Sequence, residues 1–435
     1  MLGILPIGPT GLVPVVPAVH VAHEQRIFMP QPDVIDAAVV GTGPAGLAAA
    51  LALAWSGVEV ALIGPAPTSA SLGRETRTTA LFGGSIDFLR HIGVWDDLED
   101  GAEALSGLRL VDDTGGLLRA PETLFQSDEI GRAAFGYNIA NATLVRALFA
   151  RVVARSGIPF IDGTVTSVSH EDDGVMLAIA DGRTSRARLV VAADGRQSLC
   201  RSAAGISAEA WSYPQSAITT LFAHARPHGG ISTELHRRAG PLTTVPMRGN
   251  VSSLVWVDTP AEATRLAGLG KQEFGRELET RLGGFLGAIG DIGPRATFPL
   301  SGLSAKPLAH NRTVLIGEAG HVLPPIGAQG LNLGFRDAAW VADIAGTAKR
   351  ELRDIGGNDV LRAYDTARSG DVATRTLAID LLNRSLFTGL LPFDVLRGAG
   401  LALVGAIGPL RRMVMREGME PSGRVPRLLE AASQH

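Results

Sequence analysis

The sequence predicts an α/β fold, and three observations carry that prediction. Short, almost wholly apolar runs end in glycine-bearing turns at 34–46, 189–195 and 313–320. The first of them continues into an Ala/Leu-rich helix and a second apolar run, which is a strand–turn–helix–strand unit. Between 206 and 296 the pattern changes to alternating strands such as Ile218 to Ala223 and Ser253 to Val257, as expected of a largely antiparallel sheet.

Composition sets the outer limits. The 435 residues are 46% hydrophobic and 19% charged, which supports a sizeable core and excludes a disordered chain. A net charge of −3 with no basic block excludes a nucleic-acid footprint. The lone Cys200 cannot form an internal disulfide, fits a reducing compartment, and reads as a small buried side chain. Residues 1–23 carry no Asp, Glu, Lys or Arg, yet Pro6, Pro9, Pro14 and Pro17 would each break a spanning helix, and no basic segment opens a signal peptide. Residues 1–33 are therefore expected to be a flexible extension or the product of a start assigned too early, with Met29 as an alternative start.

In the first unit, Val34 to Val40 is the strand, Gly41-Thr42-Gly43-Pro44-Ala45-Gly46 the turn, the run to Trp55 the helix, and Val58 to Ile63 the next strand. Gly41 permits the tight turn, Gly43 lets backbone approach a pyrophosphate, Gly46 lets helix pack on strand, and the helix start offers free N–H groups to the anion. This Rossmann-like pattern is a dinucleotide-binding signal in that context, and on its own only a Gly-rich turn. The second strand should end in an acidic residue for the ribose, but Gly64-Pro65 stands there. Either backbone with Thr68 or Ser69 holds the ribose, or the nucleotide is held less tightly, and a carboxylate introduced at 64 is expected to strengthen retention.

The second apolar run, Leu189 to Ala193, leads into Asp194-Gly195-Arg196, which alone is equally an ordinary Asp-Gly turn. The third, Thr313 to Ile316, leads into Gly317-Glu318-Ala319-Gly320-His321, then Pro324-Pro325 and Gly327-Ala328-Gln329-Gly330-Leu331-Asn332, with a helix expected from about Phe335 to Ala345. Small residues and prolines before a helix make a rigid nest of amides suited to negative charge. His321 beside this nest reads first as structural and second as a proton carrier. The histidines lack a metal-ligand spacing, and there is no G-x-S-x-G elbow.

In this order, G-x-G-x-x-G, Asp-Gly and a Gly-acid…Pro segment resemble the group A flavoprotein monooxygenases with the para-hydroxybenzoate hydroxylase fold. The resemblance narrows to the FAD-dependent ring hydroxylases of ubiquinone biosynthesis through Arg77 to Leu81, Trp211-Ser212-Tyr213-Pro214-Gln215, Gly240-Pro241-Leu242, Leu254-Val255-Trp256, Phe298-Pro299-Leu300, Gly317 to Asp337, and Asp380-Leu381-Leu382-Asn383. It implies an FAD-binding domain at 34–105, 137–205 and 297–378, an inserted, mostly antiparallel substrate sheet at 106–136 and 206–296, and a C-terminal helical region at 379–435. The cofactor residues it implies are Gly41, Gly43, Pro44, Ala45, Gly46, Arg77, Asn141, Asp194, Gly195, Glu318, Pro325, Gly327, Gly330, Leu331 and Asn332. Glu318 stands where the family carries aspartate. The amides of Gly330, Leu331 and Asn332 are expected to stabilise the anionic reduced flavin.

The implied chemistry is oxygen transfer from O2, through a C4a-hydroperoxide of FAD, to an electron-rich phenol, with NAD(P)H or another donor supplying electrons. Another aromatic hydroxylase, an epoxidase or a reductase, and a catalytically silent FAD-binding scaffold are the alternatives; the W-x-W-x-I-P signature of halogenases is absent. The implied substrate is a polyprenyl phenol, and the implied partners are a membrane surface and a ubiquinone-biosynthesis complex, for a cytoplasmic chain peripheral on the inner membrane. The apolar stretch Leu386 to Leu410, followed by Arg411, Arg412 and Arg416, is the expected membrane contact or, equally, a cap on the FAD domain. Its longest uncharged run, Gly398 to Leu410, is 13 residues, short of the ~20 that span a bilayer.

Overall fold

Strand Ile35–Val40 is buried from Ala37 onward and pairs in parallel with Val60–Gly64 on one side and Thr184–Ala192 on the other. Strands Thr313–Leu315 and Phe160–Asp162 extend this sheet in parallel on either side, and Ala309–His310 adds an antiparallel edge beyond Thr313–Leu315. An antiparallel hairpin, Val165–His170 with Val175–Ile179, attaches beyond Thr184–Ala192. The computed structural model describes residues 34–115, 121–325, 327–387, 407–419 and 424–431, so the readings made of 1–33 and of the apolar stretch from Leu390 to Val404 lie outside the described residues.

Helix α1 (Pro44–Trp55) is apolar all round and buried from Gly46 to Leu53, as a helix enclosed by sheet and neighbours must be. Helix α2 (Gly83–His91) follows the short strand Thr78–Phe82, which joins Gly136–Ala140 and Glu103–Leu105 in a separate three-stranded sheet. Helix α3 (Gln329–Arg350) packs on α1, and helix α4 (Asn358–Phe387) packs on α3. Helix α3 begins at Gln329, well before the Phe335 expected from sequence, because the Gly-rich segment read as a nest is already its first turn.

The second large sheet runs 321–322, 296–306, 207–224, 251–258, 242–247, 231–236, 107–112, 123–126, with 289–292 also beside 207–224. It is antiparallel except where Ile231–His236 meets Gly107–Asp112. Ile218 to Ala223 and Ser253 to Val257 are neighbours in it, with Thr219 opposite Val255. Strand Ala296–Lys306 carries this sheet to Lys306, past the boundary expected at 296. Its own core of Ile218, Phe222, Leu254, Trp256, Phe274 and Leu278 is separate from the larger core around α1 and α3.

Candidate active site

The three glycines of the first turn do three different things. Gly41 has φ +117°, and a Cβ there would lie 2.2 Å from the Ala193 carbonyl oxygen, so the turn closes against the end of strand Thr184–Ala192 only with glycine. A Cβ on Gly46 would lie 2.0 Å from the Gly41 carbonyl oxygen, which locks helix to turn. Gly43 is different: a Cβ there meets no atom within 4 Å, and Gly43, Pro44, Ala45 and Gly46 all line one large cavity. Helix α1 has no side-chain cap and no acidic residue in its first turn, so its leading N–H groups face that space with their partial positive charge intact.

A second helix start opens on the same cavity. Helix α3 follows Ala328, held at φ +51°, and also lacks a side-chain cap and an early acid. Pro325, Gly327, Gly330 and Leu331 line the cavity. Asn332 does not line it, which corrects the grouping of its amide with the other two: it is buried, one residue past the four amides that a helix leaves free. Its side chain is a fastener instead. Nδ2 donates to the Ala80 and Ala328 carbonyls at 2.8 and 2.7 Å, and Oδ1 accepts from the Phe82 amide and from Ser85 Oγ, tying the start of α2 to the start of α3.

Behind this wall lies a buried charge network. Asp337 on α3 accepts from the Gly317 amide at 2.9 Å, from His321 Nε2 at 2.6 Å and from Arg368 Nε at 2.7 Å. Burial works against its charge, but His321 and Arg368 hold the carboxyl below the usual aspartate range. Arg368 and Arg375 of α4 and Arg336 of α3 converge on Asp371, while burial pushes Arg336 down to about 10. Arg375 also donates to Gln329, in the first turn of α3. His321 lines the cavity, with Nε2 bonded to Asp337 and Nδ1 buried and without a partner.

Of the remaining expected residues, Arg77, Asn141, Gly195 and Glu318 line the cavity. Arg77 is paired with Glu75 at 2.5 Å and lies over the Phe298 ring; Asn141 Oδ1 accepts from Thr79 Oγ1 at 2.5 Å. Glu318 pairs with Arg196 at 3.2 Å. Asp194 and Gly41 are outside the lining. The Asp194 carboxylate turns into the protein, accepting from Ser198 Oγ and the Cys200 amide, so it fixes its own turn. Cys200 is buried, and burial together with Asp194 pushes its thiol up.

The ribose expectation is corrected twice. Gly64 is buried, and a Cβ there would come within 2.9 Å of Thr42 Cγ2, so no carboxylate fits at that position without displacing Thr42. Thr68 and Ser69 do not line the cavity, and Thr68 is occupied in a capping box with Ser71.

Opposite the glycine turns, the cavity of about 1060 Å³ is walled by the antiparallel sheet. Glu234 and Ser232 project from strand Ile231–His236, Thr243 and Val245 from Leu242–Met247, and Ser253 and Val255 from Val251–Asp258. Leu108, Leu110, Phe125, Phe135 and Met415 form an apolar end. None of these was named individually from sequence, although all but Met415 fall within the spans 106–136 and 206–296 expected to form the substrate sheet; Glu234 and His236 had only their i, i+2 spacing in an alternating strand to mark them. Helix α4 reaches this sheet too: Tyr213 donates to Asp380 at 2.6 Å, and Asn383 donates to Gln215 at 3.3 Å. Burial and the Asp380 bond push Tyr213 up to about 12.

These residues fit a flavin dinucleotide. Two uncapped helix starts and an open Gly43 offer backbone to a pyrophosphate and an anionic ring, and the cavity stands at the upper end of the usual ~300–1,000 Å³ of small-molecule sites, as a large cofactor requires. Residues 34–378 match the FAD binding domain family. Ubiquinone hydroxylase UbiL of Rhodospirillum rubrum is 34% identical over 389 residues, covering 89% of this chain and 90% of that protein. The 3-demethoxyubiquinol 3-hydroxylase of Escherichia coli is 28% identical, covering 87% and 97%. In fold, the chain resembles p-nitrophenol 4-monooxygenase PnpA of Pseudomonas putida, with TM-score 0.71, 18% identity, and 90% and 99% of the two chains covered. Since the family match takes in both helix starts and every loop that lines the cradle, the chain belongs to the FAD-binding flavoprotein monooxygenases and is an FAD-dependent monooxygenase.

Proposed function

We propose that this enzyme hydroxylates the aromatic ring of a polyprenyl phenol in ubiquinone biosynthesis. The observation that carries the reading is that one cavity has three kinds of wall: amides suited to FAD, a hydroxyl- and carboxylate-bearing sheet suited to a phenol, and an apolar end suited to a tail. The relatives named for ubiquinone and demethoxyubiquinol hydroxylation support the same substrate class.

In this reading the Gly43, Pro44 and Ala45 turn receives the FAD pyrophosphate, with Gly41 and Gly46 shaping it. The amides of Gly330 and Leu331 face the part of the flavin that becomes anionic, where preorganised donors act without reorganisation. Arg77, Asn141, Gly195, Glu318, Pro325 and Gly327 complete the cofactor wall, and Asp194 and Asn332 hold their loops in place. FAD, reduced by NAD(P)H or another donor, supplies the activated oxygen from O2 when bound. The sheet orients the ring and keeps it dry.

The substrate's tail draws the enzyme to a bilayer surface, because it partitions into lipid at roughly 0.8 kcal/mol per CH2. Among the described residues no helix is long and apolar enough to cross a membrane. Arg412 and Arg416 are exposed, whereas Arg411 pairs with Glu129 at 2.6 Å and stacks on Phe125, so it is removed from the expected headgroup contact.

The test is oxygen transfer to a short-chain prenyl phenol by FAD-loaded protein with each candidate reductant, read as the gain of one oxygen atom by mass spectrometry. Flavin oxidation without a hydroxylated product, across such phenols and reductants, overturns the substrate assignment. Flotation with anionic vesicles that high salt reverses is expected; full-length protein that stays behind removes the membrane contact.

A further inference from the structure

We propose that Glu234, oriented by His236, takes the proton of the phenolic hydroxyl as the ring is attacked; this rests on the reading of the substrate as a phenol. Side chains two apart on a strand share a face, so Ser232, Glu234 and His236 project from strand Ile231–His236 to the same side, and the first two line the cavity. Glu234 is 7% and His236 4% exposed, and His236 Nε2 donates to Glu234 Oε1 at 2.7 Å. An ionised carboxylate only accepts hydrogen bonds, which fixes the direction of this one. Among the described residues, Glu234 Oε2 has no partner.

The other charged groups of the cavity wall are already matched. Glu75 is paired with Arg77, Glu318 with Arg196, and His321 with Asp337. Glu234 is the only carboxylate lining the cavity, among the described residues, that is not neutralised by arginine. Around the pair, Thr243 and Leu110 stand opposite Glu234 in register, and Asp112 stands opposite His236 with its Oδ1 occupied by Thr114. Glu234 thus has one oxygen held by an imidazole and the other without a described partner, on the wall of the cavity that would receive the phenol.

The chemistry follows from the phenol. When the ring carbon ortho or para to the hydroxyl attacks the terminal oxygen of the peroxide-level donor that the monooxygenase reaction supplies, a ring electron pair forms the new C–O bond, the donor's O–O bond breaks, and its electron pair leaves on the other oxygen, which is reduced. The phenolic C–O bond becomes C=O, its O–H bond breaks, and the proton passes to Glu234 Oε2. The ring hydrogen then leaves as a proton to the oxygen anion left on the donor, which restores the aromatic ring, and the phenolic oxygen regains its proton from Glu234. Glu234 is the catalytic residue; His236 is a positioning residue that keeps Oε1 occupied and Oε2 aimed at the cavity.

In FAD-loaded protein, Glu234→Gln is expected to lower hydroxylation of a short-chain prenyl phenol on the order of 100-fold at unchanged flavin content. The acid limb of the kcat/KM profile should vanish with it, and ring-fluorinated, more acidic phenols should lose progressively less. His236→Ala should shift that limb, and His236→Gln, which keeps an N–H in place, should restore it. Wild-type protein alone gives an independent reading: it should bind the phenol at least about tenfold more tightly than its methyl ether, followed by tryptophan fluorescence. Equal affinity for phenol and ether overturns the proposal even if Glu234→Gln does not fold. So does Glu234→Gln with wild-type rates and pH profile. In either case wild-type hydroxylation of the phenol would still stand, so failure of this assignment is distinct from failure of the substrate reading.

Discussion

The two walls of the cavity are made of different material. The cofactor wall is mainly backbone: glycine turns, two uncapped helix starts and short loops after parallel strands, braced from behind by buried charges. The facing wall is side chain: threonine, serine, valine and one glutamate standing on antiparallel strands drawn from distant parts of the chain. A backbone site is written locally, because a turn needs its glycines within a few residues of each other. A side-chain site is written in register pairs, and no short stretch of sequence contains it.

The largest expected effect comes from the brace. Asp337→Asn removes the buried charge shared by Arg368 and His321, leaving Arg368 with Asp371 as its carboxylate partner, and is expected to cost about 3 kcal/mol in denaturant unfolding. The pH dependence follows from the same group. The folded Asp337 carboxyl titrates below its ordinary 3.8, so its contribution is fully present above that value and is lost as pH falls through the folded value. Wild type should therefore weaken below about pH 4 more steeply than Asp337→Asn, and parallel acid curves would remove Asp337 from the brace.

Next in size is Gly43→Val. Its side chain projects into open cavity, so the fold should survive while the protein loses its flavin, read as absorbance after reconstitution. A fully yellow variant would move the pyrophosphate elsewhere. Gly64→Glu sharpens the same wall: the new side chain displaces Thr42, so it should lower stability by about 1–3 kcal/mol and weaken flavin retention. Improved retention would show that Thr42 yields freely. The smallest effect belongs to the facing wall. Val255→Ala should leave flavin content unchanged and alter kcat/KM for a prenyl phenol by a factor of about ten. A loss of flavin there would erase the distinction between the walls.

That distinction also explains what could be read from sequence. The parallel strands and the α1 turn were legible because strands buried on both faces are continuous apolar runs and because the glycines of the turn lie within six residues, Gly46 answering a steric demand from Gly41 itself, although the demand on Gly41 comes from distant Ala193. The directions of Asp194, Glu318 and Asn332 were not, since a motif names a side chain without saying which way it turns. Glu234 and His236 looked like any polar residues in an alternating strand until the register brought Thr243 and Leu110 beside them. The Trp211 to Gln215 and Asp380 to Asn383 segments stood out in order alone; Tyr213 with Asp380 and Gln215 with Asn383 supply the contacts behind them.

Helix α4 touches both walls, through Arg368 and Asp371 toward the cofactor side and through Asp380 and Asn383 toward the sheet. From Arg368 to Asn383 this is a rod of roughly 22 Å at 1.5 Å per residue. Its length is quantised in helical steps, so the gauge between flavin and sheet is set by residue count rather than by loop conformation. Inserting or deleting one residue between these anchors would rotate Asp380 and Asn383 by about 100° relative to Arg368, unhooking one wall while leaving every residue of the other in place.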